Sequence, residues 1–232
     1  MFSPACKSVL ITLVSPSDDT QEAAFNQYYE EVHIPDVLET PGVIGAQRFV
    51  CVDKPDMGKY LTIFESESLE PQDILDRVQA TLSKKQHLAG HSFAQATEKL
   101  RGSYRRRWRL EDHSRPPKSV TGVLVSFYFG PKDPSQIPLV HHWYNAIHVP
   151  DMLAVPGFCA TDRLDGVDPQ GEYRMLHLYQ LDSEDISETI EEMRRRVGRW
   201  MVDGRMQMTA SFKRRFTRLF QRRMPFSISA VP

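Results

Sequence analysis

Two periodicities alternate along this chain, one of two residues and one near four. Residues 7–14, KSVLITLV, are rich in β-branched side chains and end near Pro16, which predicts a strand and then a turn. Ser17, Asp18 and Asp19 offer helix caps before QEAAFNQYYEEVH. In that segment Ala24, Tyr28 and Val32 form one stripe, and Phe25, Tyr29 and His33 the neighbouring one. Pro35 disfavours the α region for residue 34, so the helix is expected to stop there or restart as PDVLE. Pro41-Gly42 marks a turn. Strands are expected at 43–52 and 60–67, separated by the loop KPDMGK. A second helix follows at 71–86, with Ile74, Val78 and Leu82 in register, then a polar stretch with His87, Gly90 and His91. SYRRRWRL, residues 103–110, closes the unit as a strand.

The same order returns further on, with strands at 122–129, 158–165, 174–182 and 211–220 and helices at 133–148 and 184–202. YYEEVHIPDVLETPG, residues 28–42, is answered by WYNAIHVPDMLAVPG, residues 143–157, so His148 follows His33 by 115 residues. Pro16 and Pro131, Arg48 and Arg163, Asp53 and Asp168, and Ser68 and Ser183 keep that offset. SFKRRFTRLF matches SYRRRWRL at 108, a second connection seven residues shorter. A period this long is the length of a small domain and not of a solenoid repeat. The chain is expected to hold a domain over 1–112, a linker over 113–120 where EDHSRPPKS carries charge and prolines, and a domain over 121–232. Each would be a βαββαβ unit, an antiparallel sheet with both helices on one face. Neither face of these strands is uniformly polar, so the expected fold class is α+β, with two ferredoxin-like domains packed sheet to sheet as an intramolecular barrel.

Composition narrows the functions. With 29 Lys plus Arg against 30 Asp plus Glu, nothing in the overall charge calls for nucleic acid or an anionic membrane. No apolar run reaches the length of a membrane span, and the N-terminal apolar segment reads as a strand and not a leader. Three scattered cysteines, Cys6, Cys51 and Cys159, suggest a reducing, cytoplasmic setting without a metal cage. GxGxxG, Walker, HExxH and GxSxG patterns are absent from the sequence.

The candidate chemistry centres on His33 and His148, whose imidazoles titrate near neutrality and can take and return a proton. Tyr29 and Tyr144 lie one helical turn earlier, placed to orient the ring or to donate to an oxyanion. The structural alternative is a histidine bonded to free carbonyls at a helix end. Asp36 and Asp151 either fix an imidazole tautomer or satisfy backbone N–H groups of a turn. Arg48 and Arg163 either grip a substrate carboxylate or enolate, or lie in solvent or an interdomain ion pair. Tyr104 and Trp108 are expected to face the helices, with Arg105, Arg107 and Arg109 on the opposite face. Trp143 and His177, which stand where the first half has Tyr28 and Thr62, favour an active site in the second half. His141-His142 finds no third ligand, so no metal is expected. The run SEDISETIEEMRRR reads as helix electrostatics, with Glu191–Arg195 and Glu192–Arg196 pairs, and KRRFTRLFQRR as a core-facing strand.

The motif WYxxxHxPDxLxxPG on a helix after the first strand of a βαββαβ unit resembles the EthD-like group of the dimeric α+β barrel superfamily, here in tandem over nearly the whole chain. That resemblance implies a small, mostly apolar cavity between sheet and helices with a histidine at its edge. Relatives in the superfamily include polyketide cyclases, dehydratases, decarboxylases, lactone isomerases, cofactor-free monooxygenases and haem-binding enzymes. The leading expectation is a small-molecule enzyme of lyase, isomerase or cyclase type without a cofactor, acting on an enolisable or polyketide-like substrate. His148 or His33 would be its acid/base, Tyr144 or Tyr29 the helper, and Trp143, Arg163, Arg48, His177, Asp151 and Asp36 would bind substrate. A non-catalytic binding module and a cofactor-free or haem-dependent monooxygenase are the alternatives. One chain would suffice for a barrel, and a homodimer stays open.

Overall fold

The computed structural model describes residues 2–89, 96–112, 114, 119–167 and 173–223. The expectations for His87, Gly90, His91 and Asp168, for most of the linker and for the tail beyond residue 223 lie outside the described residues or side chains. The described chain divides into two compact units, one of Phe2–Arg106 with Arg222 and Arg223, the other of Arg107–Gln221.

In the first unit, β1 (Ser8–Pro16), β2 (Val43–Cys51), β3 (Tyr60–Ser66) and β4 (Ala96–Glu111) are four strands, the last cut by the unit boundary at Arg106. β1 pairs antiparallel with both β3 and β4, and β3 with β2, giving the ferredoxin-like order β4-β1-β3-β2. Two helical stretches complete it, α1–α2 (Glu22–Tyr28 and Ile34–Leu38) and α3 (Pro71–Ala89). Leu10, Ala46 and Phe64 from the strands meet Ile34, Val37, Ile74 and Val78 from the helices in one core. Ile74, Val78 and Leu82 therefore pack as their spacing predicts. The expected loop at KPDMGK contains a short 3-10 turn, Pro55–Met57.

The second unit has β5 (Gly122–Pro131), β6 (Phe158–Val167), β7 (Tyr173–Leu181) and β8 (Phe212–Arg222) in the order β8-β5-β7-β6, all antiparallel. Its helices are α4–α5 (Ile137–Trp143 and Val149–Leu153) and α6 (Ile186–Val202). The end of β4 belongs here: Asp112 N–H donates to Cys159 O at 2.9 Å, and Arg109 Nη1 bonds the buried Asp162 carboxylate at 2.9 Å. Tyr104 is buried in the first unit but does not face the helices as expected: it pairs with Val9, on the opposite side of the sheet from the helix-packed Leu10, whereas Trp108 packs on the core of the second unit. On α6 Glu192 takes Arg196 at 2.6 Å as expected; Arg195 also turns to Glu192, at 2.9 Å, and not to Glu191.

One expectation fails in both units. Pro35 does not end the helix, and Ile34 stays helical at φ −64°, ψ −48°. The chain instead widens to a π-turn over Tyr29–His33, in which Ile34 N–H bonds Tyr29 O five residues back. The wider turn seats the proline ring without breaking the rod, and its missing N–H costs nothing at the start of α2. Tyr144–His148 forms the same turn, closed by Val149 N–H to Tyr144 O, ahead of Pro150. Each candidate Tyr–His pair thus spans one π-turn.

No helix among the described residues is long and apolar enough to cross a membrane. Cys6 and Cys159 are buried, their thiols bonding Ser8 O at 3.2 Å and Gln180 O at 3.4 Å, and Cys51 is half-buried.

Candidate active site

In the second unit one row of side chains crosses the helix-facing side of the sheet. Arg163 pairs with His177, His177 with Ser126, and Ser126 with Thr217. Because facing residues of antiparallel strands project to the same side, the row is contiguous, and the Ser126 and Thr217 hydroxyls meet at 2.9 Å. Tyr128 and Tyr179 flank this row on the same face. The π-turn above supplies Tyr144, fully buried, and His148, 6% exposed.

The rings are tightly grouped. Tyr144 stands edge-on to His177 with centroids 3.9 Å apart, and Tyr128 lies 5.5 Å from the same imidazole. His148 stacks on Trp143 at 4.8 Å and 12°. His177 Nδ1 and the Tyr179 hydroxyl are 3.2 Å apart. Among the described residues, neither His148 Nδ1 nor His177 Nε2 has a hydrogen-bond partner. Burying a polar atom unpaired costs stability, so these two nitrogens are held ready at a cost the fold bears elsewhere.

Burial sets the charge of the site. It pushes His148 down to about 4, against a smaller opposing pull from Asp151, and puts His177 well below the ordinary range, helped by Arg163. Burial likewise raises the phenols of Tyr128, Tyr144 and Tyr179. At neutral pH the group consists of neutral imidazoles, able to accept protons, and neutral phenols, able to donate hydrogen bonds.

Several expected roles change. Asp151 does not fix an imidazole; its carboxylate takes both prongs of Arg205 at 2.8 and 2.6 Å. Asp36 is likewise held by Lys85 at 2.8 Å. The Trp143 ring does the orienting, itself anchored by its N–H to Arg205 O at 2.7 Å. Arg163 does not lie in solvent: it is fully buried and bonds Asn145 Oδ1 and His141 Nδ1. His141 is thus engaged with a cation, and no group of three potential metal ligands occurs among the described residues.

The first unit arranges its candidates differently. His33, pushed by burial to about 4, lies between Tyr29 at 4.7 Å and Tyr28 at 6.2 Å. Arg48 is 1% exposed and gives its guanidinium to Asn26 Oδ1 at 2.8 Å and Glu30 at 3.1 Å, flanked by the Tyr29 and Tyr60 rings. Tyr60 accepts from Asn26 at 2.9 Å and donates to Glu22, and Arg223 closes on Glu30 at 2.6 Å. These contacts join Arg48, Asn26, Glu30, Tyr60, Glu22 and Arg223 in one polar network.

A groove of about 640 Å³ is lined by Leu110–Asp112, Ser114 and the Leu153–Phe158 turn, and neither His148 nor His177 is among its described lining residues. Trp143 and Trp200, 6.4 Å from His148 between centroids, cover that ring instead. Tyr128 and Tyr179 were not singled out from the sequence. The alternation in YRMLHLYQL, which puts Tyr179 on the same face as His177, was the available signal.

No family model and no curated protein matches this sequence. Solved structures resemble it in fold. An anthrone oxidase-like protein superposes with a TM-score of 0.65 at 15% identity, covering 97% of each chain. A dye-decolorizing peroxidase from Bacteroides thetaiotaomicron gives 0.60 at 8%, covering 94% of this chain and 93% of its own. A candidate monooxygenase from Fusobacterium nucleatum gives 0.54 at 12%, with the same shares. The chain is an α+β protein of the ferredoxin-like, dimeric α+β barrel type.

Proposed function

We propose that the second unit carries the active site of a small-molecule enzyme that deprotonates an enolisable aromatic ketone and oxidises the resulting carbanion with dioxygen, without a cofactor. The observation that carries this is the pair of buried, neutral imidazoles with unpartnered nitrogens, His148 Nδ1 and His177 Nε2, among three phenols. His148 is the base: burial disfavours its cation in isolation, but an enolate formed beside it supplies the counter-charge. In this reading the Tyr144 and Tyr128 hydroxyls, both neutral and buried, donate to the enolate oxygen. The carbanion and dioxygen give a peroxide, whose O–O bond breaks as the second C–H proton leaves; CH₂ and O₂ become C=O and water.

The choice of dioxygen leans on the anthrone oxidase-like and monooxygenase neighbours in fold. A lyase or isomerase would share the same first proton transfer. EthD-like membership and a tandem origin would account for the matched π-turns, with chemistry retained in one unit. The test is anthrone as substrate in an oxygen electrode, with equimolar oxygen uptake and anthraquinone expected. Conversion without uptake would move the assignment to a lyase or isomerase, and binding without conversion to a carrier. A Soret band in the purified protein would overturn the cofactor-free element.

A further inference from the structure

We propose that Tyr179 is a redox-active tyrosine: it gives one electron to a one-electron oxidant while its hydroxyl proton passes to His177 Nδ1, and Trp200 is the port through which the electron leaves. The proposal shares His177 with the enzymatic reading, but it can be driven and read without substrate, so the two fail separately.

Three observations support it. First, Tyr179 and His177 are both buried, and their polar atoms are 3.2 Å apart. A buried phenol needs a partner for its O–H, and here the partner is a neutral imidazole. Accepting at Nδ1, that imidazole carries its own proton on Nε2. A phenol loses an electron far more readily when its proton can leave at the same moment, and the pair supplies that acceptor. Second, aromatic rings run from this pair to the surface in short steps. Tyr179 is 6.2 Å from His148 and His148 is 6.4 Å from the half-buried Trp200, centroid to centroid. A second branch passes from His177 to Tyr144 at 3.9 Å, to Trp143 at 4.5 Å and to His148 at 4.8 Å. Third, packing does not require these side chains. At the matching places the first unit holds Phe64 and Thr62, both buried in an equivalent sheet. The same layer closes there around inert groups.

The electron count balances simply. The oxidant, an organic or peroxyl radical or a photogenerated metal complex, gains one electron. Tyr179 becomes a neutral phenoxyl radical and His177 an imidazolium. Any one-electron donor then returns the electron, and His177 returns the proton.

The experiment is flash oxidation of the full chain by a ruthenium(II) tris-bipyridyl sensitiser with hexaammineruthenium(III) as quencher, read by electron paramagnetic resonance and transient absorption. The wild type should give a neutral tyrosyl radical whose formation slows in D₂O. Tyr179→Phe should lose most of that signal, His177→Thr should slow its formation and remove the isotope effect, and Trp200→Phe should lower its yield. Tyr179→Phe and His177→Thr install the residues of the first unit, so the fold is expected to survive, which circular dichroism checks. A tyrosyl signal of wild-type size in Tyr179→Phe would overturn the proposal, as would an unchanged rate and isotope effect in His177→Thr. Neither result bears on oxygen uptake with anthrone.

Discussion

His177 occupies in the second sheet the place that Thr62 occupies in the first. Each faces the buried arginine of its own unit across a strand pair, His177 opposite Arg163 and Thr62 opposite Arg48. On the other side they face Ser126 and Thr12. The two frames are alike, and the chemistry differs at this one position by an imidazole. Around Arg48 the partners include the Glu30 carboxylate, whereas Arg163 bonds Asn145 and His141 at the corresponding helix positions. The first unit thus holds its helix on its sheet through Arg48 and Glu30, and the proposed proton chemistry falls to the second.

The two motif histidines should then separate in a kinetic assay. His148→Gln removes the proposed base and should lower kcat/KM by roughly 10²–10⁴. His33→Gln should leave turnover unchanged, because His33 is only half-buried and no buried, unpartnered imidazole nitrogen occurs beside the Arg48 network among the described residues. Steady-state oxygen uptake by both variants is the measurement. A larger loss in His33→Gln than in His148→Gln would assign the chemistry to the wrong unit.

Stability should fall on mild acidification. His33 and His148 sit at about 4 in the folded chain and near 6.5 when unfolded. Between those values the unfolded chain binds more protons, so stability is fully present above about pH 6.5 and is lost as pH falls towards 4. The loss by the acid end is up to roughly 3 kcal/mol for each group, since one pKa unit is about 1.4 kcal/mol. Urea melts from pH 7.5 to 4.5 should show this, and His148→Phe, which cannot protonate, should flatten the slope.

Much of this molecule could be read from the chain alone, because periodicity and turn residues are local signals. The strand and helix order, the caps at Asp18 and Asp133, and the buried stripe of Ile74 and Val78 follow from residues close in sequence. The π-turns did not follow, since the rule for a residue before proline assumes α spacing and Tyr29–His33 escapes it by widening. Nor did the partners of Asp151 and Asp162: Arg205 and Arg109 lie 54 and 53 residues away, and only the folded sheet brings them close. Tyr128 and Tyr179 read as strand core until the register placed them beside His177.

The cover over His148 should depend on Arg205. Its guanidinium grips Asp151 while its carbonyl accepts from Trp143, so one residue ties the chain after α6 to the α5 turn. An exposed pair of this kind contributes only about 1 kcal/mol, so Asp151→Asn should fold normally. Amide exchange across residues 203–207 should nevertheless quicken, and acrylamide should quench Trp143 more strongly. Unchanged exchange and quenching would show that the clamp does not hold the cover.

The two Pro-Gly turns predict unequal costs for one substitution. Gly42 and Gly157 adopt φ of +91° and +95°, where an L side chain is strained, and each carbonyl accepts an N–H from the strand end, Glu67 at 3.2 Å and Asp182 at 3.0 Å. Alanine at either position should therefore cost roughly 1–2 kcal/mol from the backbone alone. Beyond that the sites diverge. At Gly42 a methyl group would meet Arg77 Nη1 at 3.3 Å, the far end of a side chain that can swing away. At Gly157 it would overlap Thr189 Oγ1 and lie 2.9 Å from Thr189 Cγ2, and Thr189 is buried on α6 with its hydroxyl bonded to Asp185 O at 3.2 Å. Relief there requires moving α6 itself, an overpacking cost of about 1–3 kcal/mol more. Urea midpoints should thus fall further for Gly157→Ala than for Gly42→Ala, and Thr189→Ser, which removes the Cγ2 contact, should recover part of the difference in the double variant.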